Sequence, residues 1–214
     1  KLNQESMVDT PIDASIAGRY YQTQAIQAVA ERFEQDKFRE SLLVMATGTG
    51  KTRTATALVD VMQKSKWAKR ILFLVDRRAL RDQALSAYKE HLTEPSTYPK
   101  PDDRTFPLDR RVYVQTYHTM LGVIQKQENY VSPFFFDLII ADEAHRSLFN
   151  TFKEIINYFD ALKVGLTATP KSKVHASSYE LFSCADGMPT FEYSYDRAVS
   201  DGYLNDYEVL KVRT

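Results

Sequence analysis

Residues 47–52, Thr-Gly-Thr-Gly-Lys-Thr, place two glycines, a lysine and three threonines directly after the apolar run 41–46. Glycines let consecutive backbone N–H groups turn toward one point, and a helix starting at Lys51 adds the positive end of its dipole. In such a loop, which opens at Thr47, the N–H groups of Gly48, Thr49, Gly50 and Lys51 cradle phosphate oxygens. Lys51 then reaches the β- and γ-phosphates of a nucleotide, and the Thr52 hydroxyl ligates Mg²⁺. The general pattern G-x-x-x-x-G-K-[ST] wants its first glycine where this chain has Met45. That position precedes the turn, and the glycines that make the backbone contacts remain. A second group, Asp142 and Glu143, follows the apolar run 138–141. A site for phosphoryl transfer to water needs an acid to hold Mg²⁺ and a base to orient and deprotonate the attacking water, here Asp142 and Glu143 in turn. The pair lies about ninety positions after the loop, the room that intervening strands and helices require.

Both groups need strands to carry them. Apolar runs at 41–46, 70–75, 111–116, 137–141 and 162–167 are continuous rather than alternating, as in strands buried on both faces. Between them, 51–63, 77–91, 117–126 and 148–162 have helical spacing. Repeated strand–helix alternation predicts an α/β fold: a parallel sheet with helices on both faces and ligands at the carboxyl ends of its strands. Ahead of the first strand, 18–35 reads as an amphipathic helix with Ile26, Val29, Ala30 and Phe33 inward. Residues 93–109 hold four prolines and read as a surface loop. After Lys171 the pattern loosens, then predicts a strand in 189–195, a short helix in 196–204 and a strand in 207–214.

The 214-residue chain is long enough for one such domain with a core. Lys+Arg 28 balances Asp+Glu 28, so any nucleic-acid contact must rest on local groups rather than on bulk charge. One cysteine, Cys184, excludes an internal disulfide and fits a reducing compartment. The longest apolar runs are too short to span a membrane, and no secretory signal opens the chain. A start at Lys1 rather than Met fits a segment cut from a longer protein.

The motif set resembles the DEAH-type superfamily 2 helicases and translocases. It is most similar to the motor part of the restriction subunit of type I restriction–modification enzymes. The residues that carry the likeness are "RYYQ" (19–22), "MATGTGKT" (45–52), "FLVDRRALRDQ" (73–83), "VQTYHTM" (114–120), "DEAHRS" (142–147), "LTATP" (166–170) and a late "YS…A…DGYL" (193–204). The resemblance covers 18–214, and its specificity lies in the set rather than in any one motif. It implies a RecA-like P-loop NTPase domain, the first of two motor domains, over 18–170. Residues 1–17 would be an N-terminal segment or linker, and 171–214 the end of the same domain and the exit toward a second domain outside this chain.

By the same resemblance Gln22 reads the adenine edge, with Arg19 or Tyr21 beside the base. Arg77, Gln115 and Thr116 touch the backbone of double-stranded DNA, while His145, Thr167 and Thr169 couple the phosphate state to domain motion. The expected partners are the second RecA-like domain and the specificity and methylation subunits of a restriction complex, in the cytoplasm of a bacterial or archaeal cell. The arginine fingers of such motors sit on the second domain, so this segment alone is expected to bind ATP·Mg weakly, hydrolyse it poorly and not translocate. No Glu is followed two residues later by Lys, so the E-x-K of a restriction nuclease falls outside this chain or is absent from its parent. The alternatives are a motor domain of another superfamily 2 helicase acting in DNA repair or on RNA, a P-loop phosphotransferase for a small molecule, and a non-catalytic module. The last two account poorly for "LTATP" and for the intact Lys51, Thr52, Asp142 and Glu143.

Overall fold

A computed structural model describes residues 3–92, 97–99, 106–125, 131–142, 149–168, 176–184 and 187–206. Its strands, in chain order, are β1 (Glu40–Met45), β2 (Ile71–Val75), β3 (Thr97–Tyr98), β4 (Val112–Thr116), β5 (Leu138–Asp142), β6 (Leu162–Thr167) and β7 (Phe191–Tyr193). The helices are α1 (Tyr20–Glu34), α2 (Lys51–Lys64), α3 (Arg78–His91), α4 (Tyr117–Gln125), α5 (Phe149–Tyr158), α6 (Ala176–Leu181) and α7 (Tyr195–Ser200). The strands form one sheet in the order β3-β4-β2-β5-β6-β1-β7. Every pairing in it is parallel.

The continuous apolar runs are explained by two cores, one on each face. Leu43, Met45, Phe73, Val75, Val114 and Ile140 point into one; Leu42, Val44, Leu72, Leu74, Tyr113 and Ile139 point into the other. Each such side chain, fully buried, contributes about 1.5–3 kcal/mol. Helices α1, α2, α3 and α7 cover the first face, and α4, α5 and α6 the second. Right-handed crossovers require this division. The chain leaves β1 for β2 and the far edge with α2 and α3 on one face. It returns through β5 and β6, which slot between β2 and β1, with its helices on the other face.

Helix α1 buries Ile26, Val29, Ala30 and Phe33, the side expected to face inward. The segment before it packs onto the domain. Met7, Ile16 and Ala17 are buried, and the Met7 and Val8 N–H groups donate to Glu34 Oε2 at 2.6 and 3.1 Å.

Three features differ from the expected elements. The proline-rich stretch expected as a loop contains β3, whose two residues pair with Val112 and Tyr113. Helix α5 stops at Tyr158 rather than at Leu162, because Asp160 N–H turns to Pro133 O (2.9 Å) and Leu162 N–H to Asp137 O (2.9 Å), which starts β6. A short helix, α6, lies where the sequence pattern loosens, and just beyond it Phe182 and Cys184 reach the second core. The expected final strand in 207–214 lies outside the described residues.

Candidate nucleotide site

The loop expected to hold phosphates joins β1 to α2 at the carboxyl edge of the sheet. Met45 ends β1 with its side chain fully buried in the first core, so the position asks for an apolar side chain, and no turn starts there. Gly48 (φ 85°) and Gly50 (φ 87°) adopt left-handed backbone, which glycine takes at little cost. A Cβ would displace the Gln22 amide at Gly50 and press tightly on Leu204 at Gly48. It would lie 2.6 Å from Gln22 Nε2 at Gly50 and 3.1 Å from Leu204 Cδ2 at Gly48. Gly50 is the N-cap of α2, so the helix dipole points at the loop. Lys51 Nζ extends back over the loop to Met45 O, at 3.4 Å. Thr47 and Gly48 are exposed, whereas Thr49 is buried, its hydroxyl donating to Ala46 O at 2.6 Å. Thr52, in the first turn of α2, is half-buried.

This loop is braced from the start of α1. Tyr21 OH and Gln22 Nε2 both donate to Thr49 O, at 2.8 and 3.3 Å. Gln22 Oε1 accepts from Arg19 N–H at 3.2 Å, so the side chain expected to read adenine ties the helix start to the loop. Each end of its amide keeps capacity for one further bond. Gln22 and Tyr21 are both buried. Tyr21 stacks on Tyr193 of β7 (centroids 3.9 Å apart, planes at 11°), which fixes the ring that reaches the loop. The Arg19 guanidinium donates to Tyr21 OH at 2.8 Å and lies over the Tyr203 ring at 5.0 Å.

Asp142 ends β5, two strands from β1. The register sets Asp142 against Leu166 of β6, and Leu166 against Leu43 of β1. Along β5, Leu138 and Ile140 face the first core and Ile139 and Ala141 the second. By that alternation Asp142 leaves the sheet on the face covered by α2, the side that carries Lys51 and Thr52. Its carbonyl accepts from Tyr117 OH at 2.7 Å. Thr167 ends β6, buried, and pairs with Val44. Glu143, His145 and Thr169 lie outside the described residues. Among the described residues no cluster of His, Cys, Asp and Glu has a metal-binding arrangement. Thr52 and Asp142, the residues expected to hold Mg²⁺, thus lie at the same edge of the sheet as the β1–α2 loop.

The residues expected on DNA are set apart at β2 and β4. Arg77 is exposed beside Asp76 (Nε to Oδ2, 3.4 Å), just before α3. Gln115 and Thr116 are buried. Thr116 Oγ1 lies 2.8 Å from Thr119 Oγ1 and accepts the Thr119 N–H at 3.3 Å, which caps the start of α4.

The family model described as "Type III restriction enzyme, res subunit" matches residues 15–172. The chain belongs to this family. This res-family chain is also similar to two curated type I restriction enzyme endonuclease subunits. It is 40% identical over 202 residues to the EcoAI subunit of Escherichia coli, covering 91% of this chain and 24% of the relative. It is 34% identical over 225 residues to the EcoKI subunit of Escherichia coli strain K12, covering 94% and 18%. The chain thus spans about a quarter or less of the length of these relatives. Among solved structures, a fragment assigned to an HsdR subunit of a type I restriction enzyme from Vibrio vulnificus YJ016 superposes with a TM-score of 0.69. It is 28% identical and covers 92% of this chain and 34% of that one. The RecA-like fold of this res-family chain is shared with that fragment and with the Hef helicase domain of Pyrococcus furiosus (TM-score 0.64, 19% identical).

Sequence reasoning missed the bracing residues Tyr20, Tyr193, Asp201 and Tyr203, and the bond from Tyr117 to the end of β5. The late "YS…A…DGYL" letters marked the first group without indicating what it touches. Among the described residues no helix of this res-family chain is long and apolar enough to cross a membrane.

Proposed function

We propose that this chain is the ATP-binding first motor domain of an ATP-dependent double-stranded DNA translocase in a type I restriction–modification system. The observation that carries the reading is the convergence at one sheet edge of a preformed phosphate loop, held by Tyr21 and Gln22, and the strand-end acid Asp142. ATP enters with its phosphates on the N–H groups at the start of α2, Lys51 neutralising the β- and γ-phosphates. Arg19 and Gln22 lie toward the base. Bound Mg²⁺ supplies charge neutralisation at the phosphates, with Thr52 and Asp142 as its holders. Glu143 orients the attacking water and accepts its proton. His145, Thr167 and Thr169 report the phosphate state, and Arg77 contacts the DNA backbone. The second RecA-like domain supplies arginine fingers, and the specificity and methylation subunits choose the DNA site, in the bacterial cytoplasm.

The test is the ATP hydrolysis rate of the full-length protein with and without duplex DNA, beside Lys51→Ala and Glu143→Gln. DNA stimulates the wild type, and each substitution lowers turnover by at least about 100-fold. Hydrolysis indifferent to DNA, or a Lys51→Ala protein as active as the wild type, contradicts the proposal.

A further inference from the structure

Beside the loop, residues 193–204 form a network of their own with the start of α1. Tyr20 OH donates to Asp201 Oδ2 across 181 positions of sequence. Tyr193 OH donates to the same oxygen at 2.8 Å. Two hydroxyls from α1 and β7 thereby anchor the turn after α7. Helix α7 is itself capped by Ser194, whose Oγ accepts the Arg197 N–H at 3.2 Å. The turn reverses at Gly202 (φ 75°), and Tyr203 and Leu204 N–H both return to Ala198 O, at 2.9 and 3.1 Å. This geometry delivers two side chains to the phosphate loop. Leu204 abuts Gly48, and the Tyr203 ring lies under the Arg19 guanidinium and edge-on to Tyr21 (centroids 5.2 Å, planes at 76°).

Tyr203 is 38% exposed, although its partners Arg19, Tyr20 and Tyr21 are all in place. An aromatic ring under a guanidinium, next to the exposed start of a phosphate loop, is a flat surface on which a purine can stack. We propose that Tyr203, with Arg19, forms the base-stacking wall of the nucleotide site, and that Asp201 is the positioning residue that holds this wall against the loop. The inference rests on the nucleotide reading above and extends it. Phosphate binding belongs to the β1–α2 loop, and affinity for the base is added by a segment about 150 positions later that folds back on it. The Asp201 anchor also gives the "DGYL" letters a physical role. Asp201 takes the two tyrosine hydroxyls, Gly202 makes the left-handed turn, Tyr203 supplies the wall and Leu204 closes against Gly48.

The test compares two probes, ATP and inorganic triphosphate, on the full-length protein by equilibrium binding. Tyr203→Ala weakens ATP binding about tenfold and leaves inorganic triphosphate unchanged, because only the base loses a partner. Tyr203→Phe, which keeps the ring, restores ATP affinity to within about twofold of the wild type. Asp201→Ala, with its hydroxyl anchors gone, shows the Tyr203→Ala pattern in smaller measure and raises the KM for ATP more than it lowers kcat. An unchanged ATP affinity in Tyr203→Ala overturns the wall, and so does an equal loss of both probes. Either result leaves the nucleotide reading standing. A wild-type protein that binds neither probe overturns both.

Discussion

The two halves of the sheet's carboxyl edge are built differently. On the β1–β7 side, the loop 46–50 is held by side chains from distant parts of the chain. Tyr21 and Gln22 reach it from α1, and Leu204 from beyond α7. On the β2–β4 side, the polar residues serve their immediate neighbours. Arg77 lies beside Asp76, and Thr116 caps α4 through Thr119. A site that must present several N–H groups to one phosphate chain gains from being fixed beforehand, since no reorganisation is then needed on binding. A surface that tracks a repetitive backbone needs only local, exposed charge. Near the middle of the edge the Tyr117 hydroxyl donates to the carbonyl of Asp142, which joins the start of α4 to the strand end that would hold the metal.

The contrast breaks most sharply at Gly50. Gly50→Ala forces a left-handed backbone on alanine, at about 1–2 kcal/mol, and sets a Cβ 2.6 Å from Gln22 Nε2. ATP affinity then falls at least about tenfold by equilibrium titration. Adding Gln22→Ala removes the collision but leaves the backbone strain, so affinity does not return. Tyr21→Phe removes one of two donors to Thr49 O and costs about 1 kcal/mol, or about fivefold in ATP affinity, with Gln22 still in place.

A smaller effect depends on pH. Hydrogen bonds from Tyr20 and then Tyr193 hold the Asp201 carboxyl below its ordinary value of 3.8. Its contribution to stability is therefore fully present above 3.8 and is lost as pH falls through the lower folded value. The difference in thermal midpoint between the wild type and Asp201→Asn is thus constant near neutrality and closes in strong acid. The smallest effect belongs to the other half. Arg77→Ala leaves the thermal midpoint unchanged, as expected for an exposed pair. It lowers the salt slope of DNA binding by about one. A large loss of stability there would show that the β2–β4 side is braced as well.

What the sequence reveals of this molecule follows the range of the interactions. The alternation of buried strands and helices is a local pattern, so the layers and the strands β1, β2, β4, β5 and β6 could be read directly. Strand β3 could not, because two ladder residues among four prolines leave no apolar run. The end of α5 was hidden by apolar residues that continue across the junction into β6. The strand-to-helix turn between β1 and α2 and the position of Asp142 at the end of β5 were readable because both are set by neighbours in sequence. The pair Tyr20 and Asp201 was not, since 181 positions separate them and the pairing of β7 with β1 and its packing on α1 bring them together. Gln115 and Thr116 show the opposite failure. Polar residues at a strand end read as exposed, but both are buried, and Thr116 is bonded to Thr119 in the first turn of α4.

The most direct measurement is calorimetric titration of the full-length protein with ATP·Mg, beside Lys51→Ala. A preformed phosphate loop predicts saturable binding at one site of this domain in the wild type and a loss of at least about 100-fold in affinity in the variant. No saturable binding by the wild type, or equal binding by both proteins, would contradict it.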